Sequence, residues 1–382
     1  MYKPYEQYLS ILRTNARYRR LTPQRQAKSI SLLDFSTNDY LNLTADPYLL
    51  HKLKQITKQY KIGSTGSRLL SGNINIHQQL EKKIANDNNT EAAITFSSGF
   101  IANLSSLAAL TDPQILGSKA LLFFDKLNHA SLYQAAFLSG ARLCRYQHNN
   151  LDHLEKLLKQ YETDKSAKFI VTESIFSMDG DIVDLSNIVT LAEKYNCMIY
   201  IDEAHATGLF GKNGYGLSTL IDFKKVPHII MGTFSKALGI SGGYIACDQI
   251  IADYLINKAQ GFIYSTAPSP IITALALESW NYVTNLQERR DNLQANGKIL
   301  RNMLKNAGFN TGLSQTHIIP IILYDEKSAI LMQEKLAKKN ILVSCIRPPT
   351  VPPNAARLRI SLTSNHTIDD LNYLIEQLKA LS

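Results

Sequence analysis

A lysine, an acid and a histidine stand in this chain where they could serve one small-molecule cofactor. Lys236 lies in Thr233-Phe-Ser-Lys-Ala-Leu-Gly239, between a hydroxyl-rich turn and small residues, and the apolar run Met198–Asp202 ends in Asp202-Glu-Ala-His205. An amine to bond an aldehyde, a carboxylate to hold a protonated ring nitrogen and donors for a phosphate are what pyridoxal phosphate (PLP) asks of a protein. Lys236 would bind the aldehyde and later act as a base, its pKa lowered by desolvation or a nearby cation. Asp202 would make a charge-assisted hydrogen bond to the ring nitrogen, and His205 could reach the phenolic oxygen. Ser97-Ser-Gly99-Phe100 follows a strand-like run and opens a helical one, so its backbone N–H groups could hold the phosphate. His129 could lie against the ring, and Ser177 could make a further contact. Each residue alone has a plainer reading: Asp202 as a helix cap, His129 as an ordinary polar residue, Ser177 as part of a turn, Lys236 as a solvated surface lysine. The joint pattern carries the case.

Arg357 and Arg359 fall on one face of a period-two strand. A buried arginine there could clamp a carboxylate through two parallel hydrogen bonds, whereas an exposed pair would only decorate an edge strand. The net charge of +9 and the spelling Asp-Glu-Ala-His invite a nucleic-acid ATPase reading. That reading lacks its phosphate loop, because no Gly-x-x-x-x-Gly-Lys-Ser/Thr occurs. The glycine-rich Gly63–Gly72 has neither the lysine nor a preceding strand and reads as a flexible active-site loop.

The elements that must position these groups follow from hydrophobic patterning. Apolar runs at 92–96, 120–124, 168–173, 198–202, 228–232 and 243–247 alternate with helical patterns such as 101–110, 151–161 and 185–195. This predicts an α/β fold with a mostly parallel sheet covered on both faces. A long helical pattern over about 271–304 is expected to join it to a small α+β unit, with strands at 317–323, 341–345 and 357–362 and helices at 326–339 and from about 368. We expect an amino-terminal helical and extended segment over 1–45, a large domain over 46–285 and a small domain over 286–382. At 382 residues, with 45% hydrophobic and 19% charged residues, the chain can bury a large core. The basic excess gathers at Lys3, Arg13, Arg17, Arg19, Arg20, Arg25 and Lys28, against the single acid Glu6, and would suit an anionic substrate or carrier. Cys144, Cys197, Cys247 and Cys345 are too far apart for a Cys-x-x-Cys motif and read as reduced, mostly buried residues. No signal-like opening or membrane-length apolar run is seen, so a cytoplasmic protein with no membrane or nucleic-acid partner is expected.

Taken together the motifs resemble the α-oxoamine synthases of PLP fold type I. The resemblance spans Asp34–Leu41, Gly63–Asn73, Ser97–Asn103, Asn128–Ser131, Phe176–Asp181, Asp202–Gly208, Thr233–Gly239, Tyr264–Thr266 and Ile346–Pro352. It implies a seven-stranded, mostly parallel sheet and a homodimer with the cofactor between the domains and near the subunit interface. Lys236 would be the Schiff-base lysine, Asp202 the pyridinium partner, His205 the phenolic-oxygen partner and His129 the stacked residue. Gly99, Phe100, Ser177 and Thr233 would be further cofactor contacts, with Ser265 and Thr266 reaching the neighbouring subunit's phosphate. Arg359 would bind the substrate carboxylate, with Thr350, Asn38 and either Arg19 or Arg20 as further substrate contacts. The Arg347-Pro-Pro-Thr-Val-Pro signature points to the branch that serves biotin synthesis, in which L-alanine condenses with pimeloyl-CoA or pimeloyl-acyl carrier protein and CO2 is lost. A glycine-using sibling that forms 2-amino-3-oxobutyrate is the alternative. Glu203 and Ser235 depart from the branch, which usually carries Asp and Gly there.

Overall fold

The computed structural model describes residues 1–21 and 32–381; Arg25 and Lys28 of the basic stretch lie outside them. Contacts divide the chain into two compact units, one of Leu41–Phe176 with Ile182–Arg290, the other of Met1–Tyr40, Ser177–Asp181 and Asp291–Ser382.

After β1 (Leu33–Asp34), which belongs to the smaller unit, come the seven strands of the larger one. They are β2 (Ala92–Phe96), β3 (Leu121–Asp125), β4 (Arg142–Tyr146), β5 (Lys168–Glu173), β6 (Met198–Asp202), β7 (His228–Thr233) and β8 (Gly243–Cys247). They form one sheet in the order β2-β8-β7-β6-β5-β3-β4, in which β8 alone runs antiparallel to its neighbours. Alternating side chains serve opposite faces. Leu122, Phe124, Val171 and Tyr200 pack in one apolar cluster, while Leu121, Phe123, Ile170, Ile199 and Ile201 pack in the other. Helices 99–110, 130–139 and 249–258 cover the first face, and helices 151–160 and 185–195 cover the second. Two buried faces explain why these strands read as unbroken apolar runs. Fully burying each such side chain contributes about 1.5–3 kcal/mol.

β4 departs from the expected pattern. It is the sheet's edge strand, with Arg142 and Arg145 exposed, so it carries no continuous apolar run. Charge on an edge strand also discourages pairing with another chain. The long helix expected over 271–304 is instead two helices, Pro270–Tyr282 and Gln287–Asn306, separated by a tight turn at Val283–Asn285. Val283 and Leu286 both bury at the break, and the Val283 carbonyl receives the Arg290 guanidinium.

In the smaller unit β9 (Ile318–Tyr324) pairs with β12 (Ala356–Ser361), which pairs with β11 (Ser344–Ile346), all antiparallel. β10 (Ile341–Leu342) leaves this sheet to pair with β1, so the single strand expected over 341–345 is divided between two sheets. Helices 3–14, 326–338 and 368–381 and most of helix 287–306 also belong to this unit. Among the described residues no helix is long and apolar enough to cross a membrane.

The carboxyl ends of β2, β5, β6 and β7 share one edge of the large sheet, and β8 begins at that edge with Gly243. A Cβ on Gly243 would stand 2.7 Å from the backbone N and Cα of Gly99, so glycine is what lets the start of helix 99–110 approach the sheet. We expect Gly243→Ala to cost about 1–3 kcal/mol of unfolding free energy in urea and to weaken cofactor retention as the helix start is displaced. Unchanged stability and retention would contradict this packing.

Candidate active site

At that edge the larger unit holds a cavity of about 250 Å³. Gly99, Phe100, His129, Asp202, His205, Thr233 and Lys236, all singled out from sequence, line it together with Ser98, Asn103, Ser131 and Glu173.

Asp202 ends β6 almost fully buried. One of its carboxylate oxygens accepts from Asn103 Nδ2 at 2.7 Å and the other from the Ala204 N–H at 2.9 Å. Asn103 is fixed in turn, with Tyr200 Oη donating to its Oδ1 at 2.9 Å and its Nδ2 also reaching Ser131 Oγ at 3.0 Å. These donors fix the orientation of the carboxylate, which suits a charge-assisted hydrogen bond to a ring nitrogen. Lys236 Nζ lies 2.9 Å from His205 Nε2.

His129 caps helix 130–139 and accepts from the Ser131 N–H through Nδ1 at 3.2 Å, which leaves Nε2 as the donor in its neutral ring. Burial lowers its pKa, with the Lys236 charge acting the same way and Asp202 opposing. A neutral imidazole is therefore the resting form. Phe100 stands edge-on to it at 6.4 Å.

Helix 99–110 starts with Ser98 as cap, its Oγ accepting from the Ile101 N–H. The free N–H groups and positive dipole end of this helix suit a phosphate. Thr233 Oγ1 donates to the Gly242 carbonyl at 2.8 Å and lies as near to Ser235 Oγ, which fixes the hydroxyl-rich turn before Lys236. An amine, a fixed carboxylate and a helix N-terminus around one cavity fit PLP. The site would hold the ring between Asp202 and His129 and the phosphate at Ser98–Phe100 and Thr233–Ser235.

The remaining sequence candidates are not among these lining residues. Ser265 and Thr266 line a separate crevice with Arg68, Thr95 and Ser97, where Thr266 pairs with Ser67. Ser177, Asn38, Thr350, Arg19 and Arg359 belong to the smaller unit. There Arg19 Nη2 donates to Thr350 Oγ1 at 3.0 Å, while Arg20 lies over the Tyr18 ring. Arg359, only 4% exposed, donates to the Ser177 carbonyl at 2.6 Å, Asn38 Oδ1 at 3.1 Å, Ser361 Oγ at 2.7 Å and Tyr40 Oη at 3.2 Å. Every one of these acceptors is neutral.

Sequence reasoning gave no role to Asn103, Ser131, Tyr200 or Tyr40. Asn103 had a usable signal: it is a polar residue four places after Gly99 in an apolar helix, hence on the face that also carries the helix start.

Glu203 faces away from the cavity lining. It is fully buried, with its carboxylate accepting from Ser218 N–H at 3.1 Å and Ser218 Oγ at 2.7 Å. Gly216, at φ 113°, approaches so closely that a Cβ there would collide with Glu203 Oε2. Burial pushes the carboxyl from its ordinary 4.5 up to about 7. Between these values the folded state binds this proton more tightly than the unfolded chain, so Glu203's contribution falls as pH rises through the window and is constant above it. Urea unfolding at several pH values should show the stability of wild type relative to Glu203→Gln declining from pH 4.5 to about 7. A difference that does not vary with pH would contradict this.

Three comparisons bear on identity. The family model for class I and II aminotransferases matches residues 30–378. A protein of Paramagnetospirillum magneticum provisionally named 8-amino-7-oxononanoate synthase is 43% identical over 344 residues, 90% of this chain and 87% of the relative. A Bacillus cereus protein with the same provisional name is 40% identical over 377 residues, 97% and 94% of the two chains. Among solved structures, the serine palmitoyltransferase of Sphingomonas wittichii superposes with a TM-score of 0.89 at 27% identity, covering 100% of this chain and 96% of that one. The 8-amino-7-oxononanoate synthase of Francisella tularensis gives 0.78 at 32% identity, covering 92% and 97%. With this sheet order, this constellation and these relatives, the chain belongs to the class I and II aminotransferase family, in its PLP-dependent α-oxoamine synthase branch.

Proposed function

We propose that the protein is an 8-amino-7-oxononanoate synthase, condensing L-alanine with a pimeloyl thioester to give 8-amino-7-oxononanoate, CO2 and the free thiol carrier. The cofactor is PLP, whose ring withdraws the electron pair left when a bond to the amino acid's α-carbon breaks. The chain's own residues do the rest. Lys236 Nζ would hold the cofactor and, once free of it, carry the α-proton; His205, 2.9 Å away, would orient the amine. Asp202, held by Asn103 and Ala204, would pair with the protonated ring nitrogen. His129 would lie against the ring and offer Nε2–H to the substrate.

The observation that carries an amino-acid substrate is Arg359, a buried guanidinium whose hydrogen bonds all go to neutral oxygens. Removing such a charge from water costs on the order of several kcal/mol, and a carboxylate ligand offsets it. Asn38, Thr350 and Arg19 belong to the same proposal as further substrate contacts. Alanine and pimeloyl in particular rest on the Arg347-Pro-Pro-Thr-Val-Pro segment and on the relatives' names. We further assign a homodimer in which Ser265 and Thr266, outside their own cavity, reach the partner's phosphate. Exposed Phe137, Leu138 and Tyr264 are apolar surface available for such an interface.

Purified protein should show a visible absorption band from the lysine-bound cofactor, lost in Lys236→Ala together with roughly 10²- to 10⁴-fold in turnover. Alanine with pimeloyl-CoA or its carrier-protein equivalent should be the preferred pair. Preferred turnover of glycine with acetyl-CoA would instead identify the chain as a 2-amino-3-oxobutyrate-forming sibling.

A further inference from the structure

The two arginines of β12 divide their work. Arg359 spends its Nε–H on the Ser177 carbonyl at 2.6 Å, and that bond sets the plane of the guanidinium. Ser177 begins a five-residue turn, Ser177–Asp181, that belongs by its contacts to the smaller unit. The turn has anchors of its own there. Arg357, 5% exposed, donates to Asp179 Oδ1 at 2.6 Å. The Gly180 carbonyl receives the Gln315 N–H at 2.9 Å, the Thr316 N–H at 3.1 Å and Thr316 Oγ1 at 2.9 Å. Gly180 has φ +69°, and a Cβ on it would overlap the Ile318 carbonyl, so the turn is seated against β9.

We propose that Asp179 and Arg357 are positioning residues that set the affinity for the substrate amino acid's carboxylate. Their ion pair fixes the turn, the turn presents the Ser177 carbonyl, and the carbonyl orients Arg359. Arg357 is neutralised by Asp179, whereas Arg359 keeps its charge for a ligand. Four of the five N–H groups of Arg359 are engaged. The contact to Tyr40 Oη is the longest at 3.2 Å, and Tyr40 Oη itself donates to Asn38 Oδ1 at 3.0 Å, a bond that does not depend on Arg359. A carboxylate arriving at Nη2 meets the fifth N–H there, beside the long Tyr40 contact, and leaves the Nε anchor in place. This inference rests on the reading of Arg359 as the carboxylate site.

Calorimetric titration of the cofactor-loaded protein tests it, with L-alanine and with L-alaninamide, which lacks the carboxylate. Asp179→Asn and Arg357→Met should each raise the alanine dissociation constant about 10-fold or more, with alaninamide affinity and cofactor content close to wild type. Asp179→Glu should recover most of the loss. The double variant Asp179→Asn/Arg357→Met leaves no charge of the pair buried alone and should show the same selective loss, should a single variant fold poorly. Wild-type alanine affinity in these variants, or a parallel loss for alaninamide, overturns the inference. If Arg359→Met weakens alanine binding while the pair variants do not, only the positioning role falls. If Arg359→Met also binds alanine normally, the carboxylate reading falls with it.

Discussion

The site depends on one buried carboxylate held in a fixed orientation. Asp202 sits at the end of a buried strand, where a polar group left without partners is costly. Two donors hold it, the Asn103 amide and the Ala204 N–H, one on each oxygen. Asn103 lies on the helix whose N-terminus stands at the same cavity. The placement of one helix therefore fixes both the carboxylate proposed to meet the ring nitrogen and the N–H groups proposed to hold the phosphate. That placement needs the bare backbone of Gly243 under Gly99. A packing constraint at a glycine thus becomes an electrostatic property of the site.

The smaller unit solves the opposite problem, keeping a positive charge buried yet available. Arg357 and Arg359 occupy the same face of one strand and differ in what surrounds them. One is cancelled by an acid, and the other is solvated by carbonyl and hydroxyl oxygens that hold it without neutralising it. The buried Tyr40 hydroxyl keeps its proton, because burial raises its pKa more than the neighbouring Arg359 lowers it. The guanidinium thus keeps its full charge in this surrounding.

Much of this was legible in the chain. Strands buried on both faces announce themselves as apolar runs, and the chemistry-bearing Asp202 and Thr233 end two of them. Lys236 and His205 follow at short range, so the local spacing carried them into one site. What escaped the sequence was set by long-range packing. Arg142–Tyr146 is an edge strand, and its two exposed arginines interrupt the apolar run that would have announced it. At the break Val283–Asn285, Val283 and Leu286 are both buried and the Val283 carbonyl accepts from the Leu286 N–H and the Arg290 guanidinium, a partnership no local propensity encodes. The resemblance implies a cofactor contact for Ser177 and does not show that its carbonyl holds Arg359, 182 positions away in the chain. The spacing of Arg357 and Arg359 fits either a clamp or decoration, and only burial, at 5% and 4% exposure, separates those readings.

The central claim is that Lys236 is the residue that carries the cofactor, beside His205 and across the cavity from the Asn103–Asp202 pair. Reducing the cofactor-loaded protein with borohydride and mapping its peptides by mass spectrometry tests this directly. The account predicts a single pyridoxyl-phosphate adduct, on the peptide containing Lys236. An adduct on another lysine, or none, would contradict it.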